Sequence, residues 1–202
     1  MTTDRQPDTV NSNVNSNKVN LRRSLLNTRK SMPPEVWRDN SDRLCDRLQQ
    51  VPLFTQATTI LSFLSFRQEP DLSPLYTLPK RWGFPRCVET SLVWHQGSPS
   101  SPMEFQTGAY GIREPHPDLP LIDPDAVDLI LVPAIACDLR GYRLGYGGGF
   151  YDRMLSQPAW SAKLALGIVF DFARVPLLPN DPWDCPLHGI CTEAGFFWSK
   201  HS

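Results

Sequence analysis

The sequence predicts an α/β fold built on a mainly parallel sheet, and three observations carry that expectation. Segments 126–133 (AVDLILVP) and 163–170 (KLALGIVF) are nearly unbroken apolar runs, the pattern of strands covered on both faces. Helix-patterned segments lie between apolar runs, as crossovers between parallel strands require. The 202-residue chain is 41% hydrophobic and 20% charged. At that balance a domain removes about 70% of its unfolded surface from water.

The elements follow in order. Residues 1–16 are polar and rich in Asn, Ser and Thr, with too little apolar surface to offset the entropy of ordering. They are expected to form a disordered tail before a single domain at 17–202. A helix over 18–30 places Val19, Leu21, Leu25 and Leu26 on an apolar stripe, flanked by Arg22, Arg23 and Arg29. Pro34 suits the first turn of a second helix, which reaches about Gln50 and is ended by Pro52. Segment 58–66 (TTILSFLSF) reads as a buried strand, 71–82 as a short helix, and 85–95 and 103–107 as strands, the former broken near Glu89. After the strand at 126–133 comes a long loop to Gly149, then a helix from Phe150, a strand at 163–170 and a last strand at 190–198.

Composition excludes several function classes. Lys and Arg total 20 against 21 for Asp and Glu, so no bulk charge draws the chain to nucleic acid or anionic lipid. Five cysteines, odd in number and without a CxxC pair, point to a reducing compartment. No two histidines have zinc-ligand spacing. Without a signal-like leader or a bilayer-length apolar run, a soluble cytoplasmic protein is expected.

The chemistry-bearing segment is 138–154, DLRGYRLGYGGGFYDRM. Gly145, Gly147, Gly148 and Gly149 fall within five positions, after a buried strand and before a helix. Glycines let backbone N–H groups converge on one anion, and a helix start adds free N–H groups. Such a loop lies where ligand crevices form in open α/β sheets. Gly148 is expected to need either a positive φ or a backbone approach that a Cβ would block. The loop is neither a P-loop nor a Rossmann turn, since Phe150 and Tyr151 follow the last glycine. Alone, it could equally be a flexible turn. Asp152 could hold Mg²⁺ or merely balance the helix dipole. Lys18 and Arg22, four apart, form either a solvated face or a basic wall.

Segment VPAIACDLRGYRLGYGGGFYDRML resembles the signature of the 5-formyltetrahydrofolate cyclo-ligases, also called 5,10-methenyltetrahydrofolate synthetases. YGIREP (110–115), SFLSFRQEPD (62–71) and KVNLRRSLLNTRKSM near the N-terminus resemble further landmarks of that family, in the same order. The resemblance spans roughly residues 17–196. It implies a three-layer α/β/α fold similar to the sugar-phosphate isomerase and CoA-transferase group. It also implies ATP-dependent conversion of 5-formyltetrahydrofolate to 5,10-methenyltetrahydrofolate, with release of ADP and phosphate.

By position, the resemblance assigns Lys18 and Arg22 to the ATP phosphates. Arg143 and the run Gly145, Tyr146, Gly147, Gly148, Gly149, Phe150 and Tyr151 become the nucleotide loop. Asp152 and Asp184 become Mg²⁺ ligands, and Leu64, Glu69 and Tyr151 line the folate pocket. Lys18, Arg143 and Asp152 are the expected catalytic residues. The implied partner is a small-molecule folate, with or without a polyglutamate tail, and the chain is expected to be a monomer or weak dimer. Trp183, His188 and Cys137 depart from the family pattern and bear mainly on Asp184. Two other classes stay open: a nucleotide-binding regulator without turnover, and an ATP-independent isomerase on a similar fold.

Overall fold

The computed structural model describes residues 9–200, with side chains from Asn17 onward except those of Pro102 and Ala109. Its helices and strands, in chain order, begin with α1 (Thr9–Lys30), α2 (Pro34–Leu48), α3 (Pro52–Gln56), β1 (Thr59–Leu61), β2 (Arg81–Val88) and β3 (Ser91–Gln96). β4 (Phe105–Thr107), β5 (Arg113–Pro115), β6 (Leu129–Pro133), β7 (Ala136–Asp138) and β8 (Arg143–Leu144) follow. The chain then runs through α4 (Phe150–Leu155), α5 (Pro158–Ser161), β9 (Leu164–Ile168), β10 (Arg174–Val175), β11 (Gly189–Cys191) and β12 (Phe196–Trp198).

Seven strands form the main sheet in the order β12-β11-β9-β6-β1-β2-β3. The inner pairings are parallel, and β3 and β12 close the two edges antiparallel. The five parallel strands therefore run 2-1-3-4-5 in chain order, a doubly wound arrangement whose direction of growth reverses between β1 and β6.

Side chains alternate across this sheet and divide the core in two. On β6, Ile130 and Val132 join Leu61, Met154 and Trp160 on the face covered by α1, α4 and α5. Leu129 and Leu131 join Leu44, Leu48 and Phe54 on the face covered by α2 and α3. Three layers result because β6 is apolar at every position and so can be buried twice.

The structure revises several expected boundaries. α1 starts at Thr9 rather than Lys18, in a stretch with no Pro or Gly to interrupt it. Residues 1–8 of the expected tail lie outside the described residues. Pro52 ends α2 by opening α3. The expected strand at 58–66 pairs only over Thr59–Leu61; beyond it the chain turns toward the site through Arg67 and Gln68, which take φ of 51° and 58°. The break at Glu89 is a hairpin turn with φ 52°, and the last strand is likewise a hairpin, β11–β12. The long loop after β6 contains the short strands β7 and β8.

Candidate active site

Ligand crevices in doubly wound sheets open at the carboxyl ends of the strands where the order reverses. Here those strands are β1 and β6. Arg29 of α1, only 3% exposed, spans the loops leaving them: its Nε donates to the Arg67 carbonyl at 3.1 Å and its Nη1 to the Ala134 carbonyl at 3.3 Å. Its Nη2 donates to the Tyr146 hydroxyl. Lys18, Arg22 and Arg29 fall at i, i+4 and i+11, which places all three on one helix face.

Lys18 is buried, and its Nζ meets Asp181 Oδ2 at 2.6 Å and Asp184 Oδ2 at 2.8 Å. Burial alone would lower its pKa, but the hydrogen bonds to both aspartates raise it above the usual lysine value and fix the ammonium. Arg22 Nε donates to the Gly145 carbonyl at 2.8 Å, holding the base of the glycine loop. Arg143 Nη1 lies 3.0 Å from Asp152 Oδ1 and over the Tyr151 ring. Arg140, by contrast, is bound to the fully buried Asp138, which also accepts from the backbone N–H of Leu178. It fastens segment 178–180 to the loop instead of facing a ligand.

The glycine loop is exposed at Tyr146, Gly147 and Gly148. Among the described residues no backbone carbonyl accepts from the N–H groups of 145–149. Positive φ occurs at Gly147 (103°) and Gly149 (66°). Gly148 has no such angle, contrary to one expectation for it, and a Cβ there would meet the Phe150 ring at 2.9 Å. The helix that follows, α4, is six residues long, so its dipole adds little. Tyr110, in the 110–115 segment, contacts Phe150 with ring centroids 6.3 Å apart, which brings that landmark to the loop.

Of the residues expected at a folate pocket, Leu64 and Glu69 follow β1, and Tyr151 lies on α4. Glu69, 3% exposed, accepts from the Tyr146 hydroxyl at 2.9 Å and from the Phe66 N–H at 3.2 Å. Burial pushes its pKa up to about 7 against the opposing pull of Arg29, Tyr146, the Phe66 N–H and Arg67. The Tyr151 hydroxyl is buried without a hydrogen-bond partner among the described residues. Leu64 lines a cavity of about 550 Å³ with Trp37, Phe66, Tyr76, Ile112 and Arg113. Neither Glu69 nor Tyr151 lines that cavity. Phe66, which lines the cavity and whose N–H donates to Glu69, links it to the buried carboxylate.

Asp152 and Asp184 flank one backbone position: the Cys185 N–H donates to Asp152 Oδ1 at 3.2 Å, and Asp184 precedes it. Among the described residues no group of three or more His, Cys, Asp or Glu forms a cage. Mg²⁺ at phosphates needs only one or two carboxylates, so this pair fits in type and number. His188, a departure from the family pattern, accepts the Ala165 N–H on Nδ1 at 3.2 Å. Trp183 is 65% exposed. Sequence reasoning missed Asp181 and the role of Arg29. The i+11 spacing from Lys18 was the available signal for Arg29.

Residues 14–193 match the model of the 5-formyltetrahydrofolate cyclo-ligase family. The 5-formyltetrahydrofolate cyclo-ligase of Escherichia coli (strain K12) is 31% identical over 174 residues, covering 82% of this chain and 94% of that protein. The enzyme of that name from Mycolicibacterium smegmatis is 29% identical over 186 residues, covering 87% and 93%. The NMR structure of Aquifex aeolicus 5,10-methenyltetrahydrofolate synthetase aligns with a TM-score of 0.79 at 30% identity, covering 92% of this chain and 94% of that one. No described helix is long and apolar enough to cross a membrane. On a match that runs over nearly its whole length, the chain belongs to the 5-formyltetrahydrofolate cyclo-ligase family.

Proposed function

We propose that this protein closes 5-formyltetrahydrofolate to 5,10-methenyltetrahydrofolate at the expense of ATP. The observation that carries this reading is the meeting, in a member of this family, of a basic helix face, a glycine loop and a buried carboxylate where the strand order reverses.

A formamide carbonyl is a weak electrophile with a poor leaving group. Transfer of the γ-phosphoryl to the formyl oxygen breaks the β–γ bridge, releases ADP and gives an imidate-like phosphate. N10 of the same folate then attacks the formyl carbon, the C–O bond breaks, and phosphate leaves with that oxygen while the N10 proton passes to the departing phosphate or to water. The nucleophile belongs to the substrate, so the protein needs to position and neutralise rather than attack. Lys18, Arg22 and Arg143 supply the positive charge, and the amides of 145–149 bind phosphate oxygens. Asp152 and Asp184 would hold Mg²⁺, which when bound neutralises phosphate charge. Glu69 accepts from the adjacent N–H donors of the pterin, with Leu64 and Tyr151 packing on the folate. The odd, widely spaced cysteines favour a reducing, cytoplasmic setting, and we take the working form to be a monomer or weak dimer.

The test is to mix the purified protein with 5-formyltetrahydrofolate and Mg-ATP and follow the near-UV absorbance of the methenyl product. An ATP-dependent rise matched one-for-one by ADP is expected. No rise from a demonstrably folded protein would overturn the reading.

A further inference from the structure

Tyr146 belongs to the glycine loop, yet its side chain reaches the other half of the site. Its hydroxyl donates to Glu69 Oε1 at 2.9 Å and accepts from Arg29. Its ring packs edge-on to Phe66 at 6.3 Å and lies beneath Arg67 at 5.9 Å. Glycines flank it on both sides. A Cβ at Gly145 would meet nothing within 4 Å, and Gly147 takes a φ of 103°. Among the described residues, the Arg22 bond to the Gly145 carbonyl and the contacts of Tyr146 hold this half of the loop to the body.

Resting on the function proposed above, we propose that Tyr146 is a positioning residue that fixes the Glu69 carboxylate for the pterin and couples nucleotide binding to folate binding. Phosphates seated on the loop amides act on the backbone that carries Tyr146. Movement of Tyr146 withdraws or strengthens the donor on Glu69. By linkage, folate seated on Glu69 must then change nucleotide affinity by the same factor. The groups facing Glu69 are Arg29 from α1, Arg67 from its own loop, Tyr146 from the glycine loop and Tyr151 from α4. Of these, Tyr146 is the one on the nucleotide loop that donates directly to the carboxylate.

The test is Tyr146→Phe, which keeps the ring and its packing. Folate affinity is measured by calorimetry from pH 6 to pH 9, with and without adenylyl imidodiphosphate, alongside steady-state kinetics. Loss of a hydrogen bond to a charged acceptor should raise the folate Kd and KM about tenfold near pH 7, a larger factor than any fall in kcat. Because the Tyr146 O–H favours the ionised carboxylate, the deficit should shrink toward pH 9. The nucleotide analogue should shift folate Kd in the wild type and shift it less in the variant. Equal folate affinity, or the same deficit at every pH, overturns the positioning role. An equal analogue effect in both proteins overturns the coupling. A wild type that binds no folate would instead overturn the function on which the inference rests.

Discussion

Lys18 Nζ lies 2.8 Å from Asp184 Oδ2, so the ammonium expected at the phosphates and a carboxylate expected at the metal neutralise each other. Both side chains are largely buried, and Asp181 shares the same ammonium at 2.6 Å. Removing one partner of such a group leaves the others buried and uncompensated. Lys18→Met should therefore lower stability by about 3 kcal/mol and abolish turnover. Adding Asp184→Asn should recover part of the stability and none of the activity. Denaturant unfolding of the two single variants and the double variant checks this; strictly additive losses would show that the pair is not coupled.

Asp152 faces Arg143 at 3.0 Å and accepts from the Cys185 N–H. Asp152→Asn keeps the second contact and removes the charge. Turnover should fall by about two orders of magnitude or more, and the Mg²⁺ concentration for half-maximal rate should rise, with only a modest fall in Tm. An unchanged Mg²⁺ dependence would leave Asp152 as a partner of Arg143 alone.

Glu69 gives a pH signature with a definite sign. Its pKa is raised from 4.5 to about 7, first by burial. The stability carried by the protonated carboxyl is thus fully present below pH 4.5 and lost as pH rises through 7. Glu69→Gln has nothing to ionise. Its Tm relative to wild type should climb between pH 5 and pH 8, by an amount equivalent to roughly 2–3 kcal/mol. A difference that is flat across that range would show that Glu69 titrates normally.

Gly147, at φ 103°, adopts a conformation that side chains rarely take. Gly147→Val should cost about 1–2 kcal/mol of stability and raise the ATP Kd by at least the same factor as any loss of one amide contact, about tenfold. Calorimetry that finds unchanged ATP affinity in folded protein would remove this glycine from the phosphate cradle.

What the sequence disclosed, it disclosed through local pattern. β6 is apolar at each of its positions, and four glycines within five residues stand out in any chain. Lys18 and Arg22 share a helix face at ordinary i, i+4 spacing. What stayed hidden depends on long-range closure. Tyr146 and Glu69 are 77 positions apart, and nothing local links them. Asp181 looks like a turn residue until Lys18, 163 positions away, is seen beside it. Segment 62–66 has strand composition because Phe63 is buried and Leu64 lines the pocket, so its apolar side chains serve burial without strand pairing. The positive φ at Arg67 and Gln68 is a conformation that neither residue type announces.

The most direct test follows the formyl oxygen itself. With 5-formyltetrahydrofolate labelled with ¹⁸O at the formyl group, Mg-ATP and this protein, mass spectrometry of the released phosphate should find one ¹⁸O in each phosphate formed during methenyl production. Phosphate without the label, with ¹⁸O recovered in water, would contradict phosphorylation of the formyl oxygen and the phosphoryl-transfer role given to Lys18, Arg143 and the glycine loop.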